Sequence, residues 1–481
     1  MLKADKRIFY LIGLFTLIRL LVSPFFGLGV DEAHYVLYAK YLDWSYLDHP
    51  PLVGWLHALF FYTVGTNEFI TRLPAILIFA ATSYLAYLFI LRQTQSIRVS
   101  LFSVLALNAS WMLNALGMML LPDSILLLLV FLLMMLTEKI LRTKGLLDFI
   151  FLGIVLGLMG LAKYTAILLV PPLILFFVLK KRYDVIFSPY MFMAALIALL
   201  MITPVIYWNV THDFISFRYQ GSHVFGSMSK GLYNFAVSLA AQIGAYSPLL
   251  FCVAVYGFFK SIRSREDSLR LAVLFAGTIM IFFLVTSVSE RTLPHWPSMF
   301  YLLFIPVGAY HLYGSAKKWQ RYFVYVAVGF SLLGLFFAYS ELAGKFIRFP
   351  DYKSPFRDIY GYREIASQAN DIVQKNPSER PKALAVINWT MGSRVMYYNL
   401  PYGHEVFVTD AREDQFDVWQ KKSPLGHDIL FLNTKYDHFD VGRYLLCDRV
   451  ETANRLELKL NGSYVNWVEY VWCDNFQGVK P

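Results

Sequence analysis

Long apolar stretches recur through the first 340 residues of this chain, and they constrain its fold more than any other feature. Eleven are read, at about 8–26, 73–91, 99–117, 121–137, 146–162, 165–179, 187–207, 233–259, 271–288, 297–313 and 322–340. A helix that crosses a bilayer needs roughly 20 apolar residues, because the hydrocarbon offers no water to satisfy an irregular backbone. The pattern predicts an α-helical polytopic membrane protein of about 11 transmembrane helices. Composition agrees: 57% of the residues are hydrophobic and only 16% are charged, against about 45–50% and 25% in soluble proteins. A soluble enzyme, a disordered chain and a fibrous chain are excluded. The stretch at 165–179 is short and holds Pro171 and Pro172, so it is expected to kink or to extend past its charged flanks.

Charge gives an orientation. Residues 341–481 carry 18 Lys and Arg against 19 Asp and Glu, so the net charge of +10 belongs to the apolar part. A nucleic-acid binder would gather it on a polar domain; a multispanning protein gathers it in cytoplasmic loops. Alternate loops hold 18 basic residues, from Lys3, Lys6 and Arg7 to Lys317, Lys318 and Arg321. The opposite set holds 6: Lys40, Arg72, Lys163, Arg218, Lys230 and Arg291. The first set is expected to be cytoplasmic, with the N-terminus inside and the C-terminal part outside. The first apolar stretch has no small-residue cleavage site and reads as a retained helix.

The expected domains are a membrane domain over 1–340 and a small α/β domain over 341–481. Two long outer loops, 27–72 and 208–232, are rich in aromatics and suit the membrane interface. The tail contains β-like runs at Ala383–Ile387, Glu405–Thr409 and Asp428–Asn433, and a helical pattern over Tyr362–Gln374. Cys447 and Cys473 both fall in it. Placed outside, in an oxidising compartment, they are expected to form a disulfide; two separate thiols are the alternative.

Carboxylates of the membrane part cluster on the outer side. Asp31 and Glu32 open the string DEAHY at 31–35, which ends in Tyr35. Asp31 is read either as a helix cap or as a general base. The letters DEAH match helicases by chance, since no phosphate loop is present, and no nucleic-acid partner is expected. In LDHPPLVGW, Asp48 and His49 precede two prolines and either form a turn or line a polar cavity. Asp123, in LLPDSILLLL, either caps its helix or acts in a site. Lys163, in GLAKYTAI, is a snorkelling lysine or a phosphate-binding cation. Arg291 and His295, in SERTLPHWP, join it in the second case. Zinc-protease, thiol-redox and α/β-hydrolase motifs are absent.

The string DEAHYVLYAKYLDWSYLDHPPLVGW resembles the first outer loop of membrane glycosyltransferases of the C-type fold. FITRLPAILIFAATSYLAY, LLPDSILLLL, GLAKYTA and ERTLPHWPSMFY follow in the family's order, and SRVMYYNLP and AREDQFDVW resemble an outer-domain pattern. The similarity runs from about residue 8 to about 435. It is strongest to the lipid A aminoarabinose transferase and lipopolysaccharide galacturonosyltransferase branch, with protein O-mannosyltransferases more distant. The resemblance implies a polyprenyl-phosphate sugar donor and a lipid or glycan acceptor on the periplasmic face of a bacterial inner membrane. It matches Asp31 and Asp123 to the family's acidic positions and Lys163 to a cavity lysine. Where aminoarabinose transferases have Lys-Pro, this chain has His49-Pro50, which points away from that sugar.

The implied reaction is one displacement with inversion. Lys163 and Arg291 take the leaving phosphate, Asp31 takes the acceptor proton and Asp123 is the second catalytic carboxylate, with Glu32, Tyr35, Asp48, His49 and His295 binding substrate. The scheme requires no cofactor, though the carboxylates leave a divalent metal open. The competing class is a transporter or flippase for a lipid-linked anion. The sequence shows no internal repeat that would support it.

Overall fold

The computed structural model describes residues 5–224, 231–409 and 412–480. Lys3 and Lys230 of the orientation count, and the end of the 208–232 loop, lie outside the described residues. The chain divides into two compact units. The first comprises residues 1–21, 43–56 and 72–338, and the second 22–42, 57–71 and 339–481.

The first unit is helical, and each of the eleven apolar stretches falls on helix. The expected count of eleven spans is not confirmed. Among the described residues five helices are long and apolar enough to cross a membrane: Lys6–Phe25, Glu68–Thr94, Pro122–Thr143, Asp267–Ser289 and Lys318–Gly344. Two bent pairs bring this to seven: Pro189–Met201 with Thr203–Thr211, bent by 44°, and Gly231–Ala245 with Pro248–Ser261, bent by 103°. The other stretches form helices of 10–17 residues. The chain is a multi-pass membrane protein by these helices.

Proline placement explains several helix starts. Pro122, Pro189 and Pro248 each open a helix, where a missing N–H costs nothing. Pro171 and Pro172 do not kink a continuous helix. A 3-10 segment over Tyr164–Leu169 leads into Val170–Leu179, and both prolines sit in the first turn of that helix. The Ser298–Tyr313 helix is buried from Ser298 through Ala309, as expected for a helix that is apolar all round. It packs against Pro248–Ser261 through Gly308, where an added Cβ would lie 2.0 Å from the Val253 carbonyl oxygen. Only a glycine lets the two backbones approach so closely.

The second unit carries the C-terminal α/β structure. Its strands are β1 (Lys382–Val386), β2 (Glu405–Val408), β3 (Asp428–Thr434), β4 (Leu445–Leu446), β5 (Arg449–Leu460), β6 (Ser463–Asp474) and β7 (Gly478–Val479). Among the described residues five of them form one mixed sheet in the order β2-β1-β3-β6-β5. The β1 strand is parallel to β2 and β3; β6 is antiparallel to β3 and β5. The β5–β6 hairpin turns on Asn461 and Gly462, both with positive φ, the backbone that favours an Asn-Gly pair. The helix Val30–Lys40 belongs to this unit. Its Ala33, Val36 and Leu37, with Leu28 just before the helix, share a core with Tyr362–Lys375, Trp389–Tyr398 and one sheet face. Cys447 and Cys473 are bonded, with Cα atoms 5.3 Å apart, tying the chain after β4 to β6.

Candidate functional site

The first unit buries an ion pair at the end of its apolar helices. Asp123 is the second residue of the Pro122–Thr143 helix. It does not cap that helix. Ser124 does so, its Oγ accepting from the Leu121 amide at 3.3 Å and donating to the Leu116 and Met119 carbonyls at 2.8 Å each. Asp123 instead accepts from Lys163 Nζ through both carboxylate oxygens, at 2.7 and 2.8 Å. Lys163 ends the Leu146–Ala162 helix with an extended backbone, which turns its side chain out of the helical path. The two residues are 3% and 5% exposed. A snorkelling lysine would reach for water, so that reading of Lys163 fails. Burial makes the pair strongly interdependent: each charge is tolerable only while the other balances it.

Two histidines approach this pair. His295 Nε2 lies 3.9 Å from Asp123 Oδ2, an ion-pair distance when the imidazole carries its second proton. Its position has a structural cause. Tyr246, in the sharp bend between Gly231–Ala245 and Pro248–Ser261, and Ser238, in the first of these helices, both hold the 290–297 segment. Tyr246 donates to the Pro294 carbonyl at 3.0 Å, and Ser238 accepts from the Thr292 amide at 3.0 Å. Tyr246 stacks on Tyr301 at 3.6 Å, and Tyr301 donates to Gln242 at 2.7 Å.

His49 sits in the 43–50 turn, which is pinned within the same unit. Trp208 Nε1 donates to Asp43 Oδ2 at 3.0 Å, Gln220 donates to the Asp48 carbonyl at 2.8 Å, and the Tyr46 amide donates to the His49 carbonyl at 3.2 Å. Burial pushes the His49 imidazole down to about 4, against the opposing pull of Asp48. Lys163, Asp123 and His295 also act on it electrostatically. The structure thus brings Asp48, His49, Asp123, Lys163 and His295 together. Arg291 is elsewhere in character: it is exposed, with its guanidinium 5.0 Å from the centre of the Tyr233 ring.

Asp31, Glu32 and Tyr35 belong to the second unit. The N-cap of their helix is Gly29 and not Asp31, which is the second helical residue. The capping carboxylate is that of buried Glu32, which accepts from the Gly29 amide at 2.9 Å. The capping reading of Asp31 is therefore replaced. Tyr35 is buried edge-on to His34, whose Nδ1 lies 3.0 Å from Ser393 Oγ.

Other polar groups in the structure were missed in the sequence. Arg19, inside the first apolar stretch, is 1% exposed and donates to Asn108 and Asn114 at 2.8 Å each. A buried charge in a membrane segment is a functional signal in its own right, and it was visible as an arginine among leucines. Glu68 accepts from Arg363 at 2.7 and 2.8 Å and from Tyr398 at 3.1 Å; partners that distant in sequence leave no local sign. Among the described residues, no group of three His, Cys, Asp or Glu is arranged to hold a metal.

The chain is similar to known proteins in part of its sequence and in its fold. Residues 48–208 match the family described as Dolichyl-phosphate-mannose-protein mannosyltransferase. The chain also shares its fold with ArnT from Cupriavidus metallidurans. The crystal structure of that protein bound to undecaprenyl phosphate is matched at 15% identity with a TM-score of 0.64, over 97% of this chain and 98% of that one. The apo crystal structure of ArnT is matched at 14% identity with a TM-score of 0.62, over the same shares. No curated protein sequence matches the chain significantly. The fold is thus ArnT-like: a helical membrane part with a small C-terminal sheet region.

Proposed function

We propose that the chain is an inverting glycosyltransferase that moves a sugar from a polyprenyl-phosphate donor to a cell-envelope acceptor. The observation that carries this reading is the buried Asp123–Lys163 pair with His295 and His49 around it. A water-poor cluster of matched charges at the end of apolar helices suits a lipid phosphate, which must arrive from the bilayer. The shared fold with a protein that binds undecaprenyl phosphate supports the same donor class, as does the match over residues 48–208.

The chemistry follows from the groups. The acceptor hydroxyl attacks the anomeric carbon as the bond to the phosphate oxygen breaks, and the electron pair leaves with the lipid phosphate. No strong acid is needed, because phosphate is already a good leaving group. Lys163 stabilises its charge, with Arg291 as a second cation. For this Lys163 exchanges Asp123 for the phosphate, and Asp123 turns to His295, which lies within ion-pair range. Asp31 takes the acceptor proton. Glu32, Tyr35, Asp48 and His49 shape the substrate sites. The loop charges put the N-terminus in the cytoplasm and the reaction on the opposite face; the family resemblance makes that face the periplasmic side of a bacterial inner membrane.

The test is donor turnover by the purified protein in vesicles containing polyprenyl-phosphate sugars and envelope lipids. Release of polyprenyl phosphate in step with glycosylation of an acceptor is expected. Movement of intact donor across the bilayer without release would establish transport and overturn the assignment.

A further inference from the structure

A cavity of about 310 Å³ lies wholly within the second unit, and the reaction above makes no use of it. Its wall is formed by the segment Pro24–Gly27, the chain around Glu341–Lys345 and the stretch from Phe356 to Glu364. The Gly27 amide donates to the Ile359 carbonyl at 3.1 Å, and an added Cβ there would lie 2.5 Å from that oxygen. The two segments are thereby held against each other, and the cavity is a built feature of the fold.

Glu341 gives it a chemical purpose. The residue is 5% exposed. Its Oε2 accepts from the Ile347 amide at 2.8 Å, while its Oε1 is buried with no hydrogen-bond partner among the described residues. A buried carboxylate oxygen without a donor is costly, and it calls for a ligand that supplies one.

The other lining groups select among donors. Glu68 is already engaged by Arg363 and Tyr398. Glu364 and Lys345 are exposed on the rim, and Lys345 Nζ lies 5.1 Å from the centre of the Tyr360 ring. A phosphate or carboxylate ligand would meet Glu341 and Glu364. An ammonium ligand would meet Lys345 and Arg363. A neutral polyol suits all of them, because each hydroxyl both donates and accepts. The rings of Phe356 and Tyr360 add an apolar surface for its C–H face. The volume is at the lower end of the roughly 300–1,000 Å³ typical of small-ligand clefts, which fits one sugar ring.

We propose that this cavity binds a neutral sugar unit, with a hydroxyl donating to the Glu341 carboxylate as its Oε1 turns out from the wall. If the transferase reading holds, the unit is part of the acceptor glycan; that assignment of source rests on the reading above, whereas the binding itself does not. The test uses the full-length protein in nanodiscs, free of sugar-based detergent and of donor. Methyl β-glucoside, methyl β-galactoside and methyl β-glucuronide are titrated by saturation-transfer NMR. At least one neutral glycoside is expected to bind more tightly than the glucuronide, and Glu341→Leu should weaken it by about tenfold or more, as for loss of a hydrogen bond to a charged group. Because Glu341→Leu also removes the partner of the Ile347 amide, its folding is checked by thermal unfolding. Glu364→Ala and Lys345→Ala, both at exposed positions, should each weaken binding severalfold in an intact fold. No saturation transfer to any neutral glycoside, or transfer unchanged in all three variants, overturns the proposal. Binding in a protein that never turns over donor would leave the cavity assignment standing and remove the transferase reading instead.

Discussion

Lys163→Met is the most informative single substitution in the first unit. It keeps the length and apolar stem of the side chain and removes the charge that Asp123 holds through two hydrogen bonds of 2.7 and 2.8 Å. Asp123 is 3% exposed, so water cannot take over the lost contacts. Breaking a buried pair from one side costs about 3–5 kcal/mol, because the remaining charge is left uncompensated. Asp123→Asn costs a comparable amount by stranding the ammonium. Asp123→Asn combined with Lys163→Met removes both charges and should recover most of that stability, since replacing a whole buried pair by neutral groups is often nearly neutral. Donor turnover should stay abolished in all three proteins, because the cation for the leaving phosphate is gone or misplaced. The assay pairs thermal unfolding in detergent with polyprenyl phosphate release. Lys163→Met as stable as the parent, or a double variant no more stable than either single one, would refute the closed, mutually dependent pair.

Three further outcomes are expected. Asp31→Asn should fold normally and bind donor while turning over about 10²–10⁴-fold more slowly, the usual range for loss of a general base; full activity would move the base to another carboxylate. His49, held neutral with its imidazole lowered to about 4, binds a proton less readily folded than unfolded. Stability is therefore fully present above about pH 6.5 and falls as the pH drops towards 4. The ring is only partly enclosed, so screening trims the effect to about 1–2 kcal/mol, and His49→Gln should flatten that limb of the unfolding profile. Reducing Cys447–Cys473, which spans 26 residues, should destabilise the second unit by about 3 kcal/mol, read as a lower unfolding temperature with reductant.

Much of the helical part was legible because membrane helices announce themselves by composition. The short strands near 383, 405 and 428 were also legible from their apolar runs, and the helix over Tyr362–Lys375 from its periodicity. The β5–β6 hairpin was missed although Asn461-Gly462 carries its signal and β6 is rich in valine and aromatic residues; β5 is long, charged and exposed, so no apolar run marks the strand it pairs with. The caps show a different limit. A carboxylate near a helix start suggests a cap, yet Gly29 with Glu32 and Leu121 with Ser124 do that work, which changes what Asp31 and Asp123 are available for. The pairing of Asp123 with Lys163 spans 40 residues and depends on where two helices end. Nothing local specifies it. The break at Tyr246 was missed although Ser247-Pro248 marks it, because the apolar residues on either side read as one stretch.

The central claim is that this chain transfers a sugar outside the membrane. Mass spectrometry of envelope lipids and glycans from cells lacking the protein, and from the same cells with it restored, tests that claim most directly. The account predicts that one envelope species loses the mass of a single glycosyl residue in the absence of the protein and regains it on restoration, but not when Asp31→Asn is restored at equal abundance. Identical lipid and glycan profiles in all of these cells would contradict it.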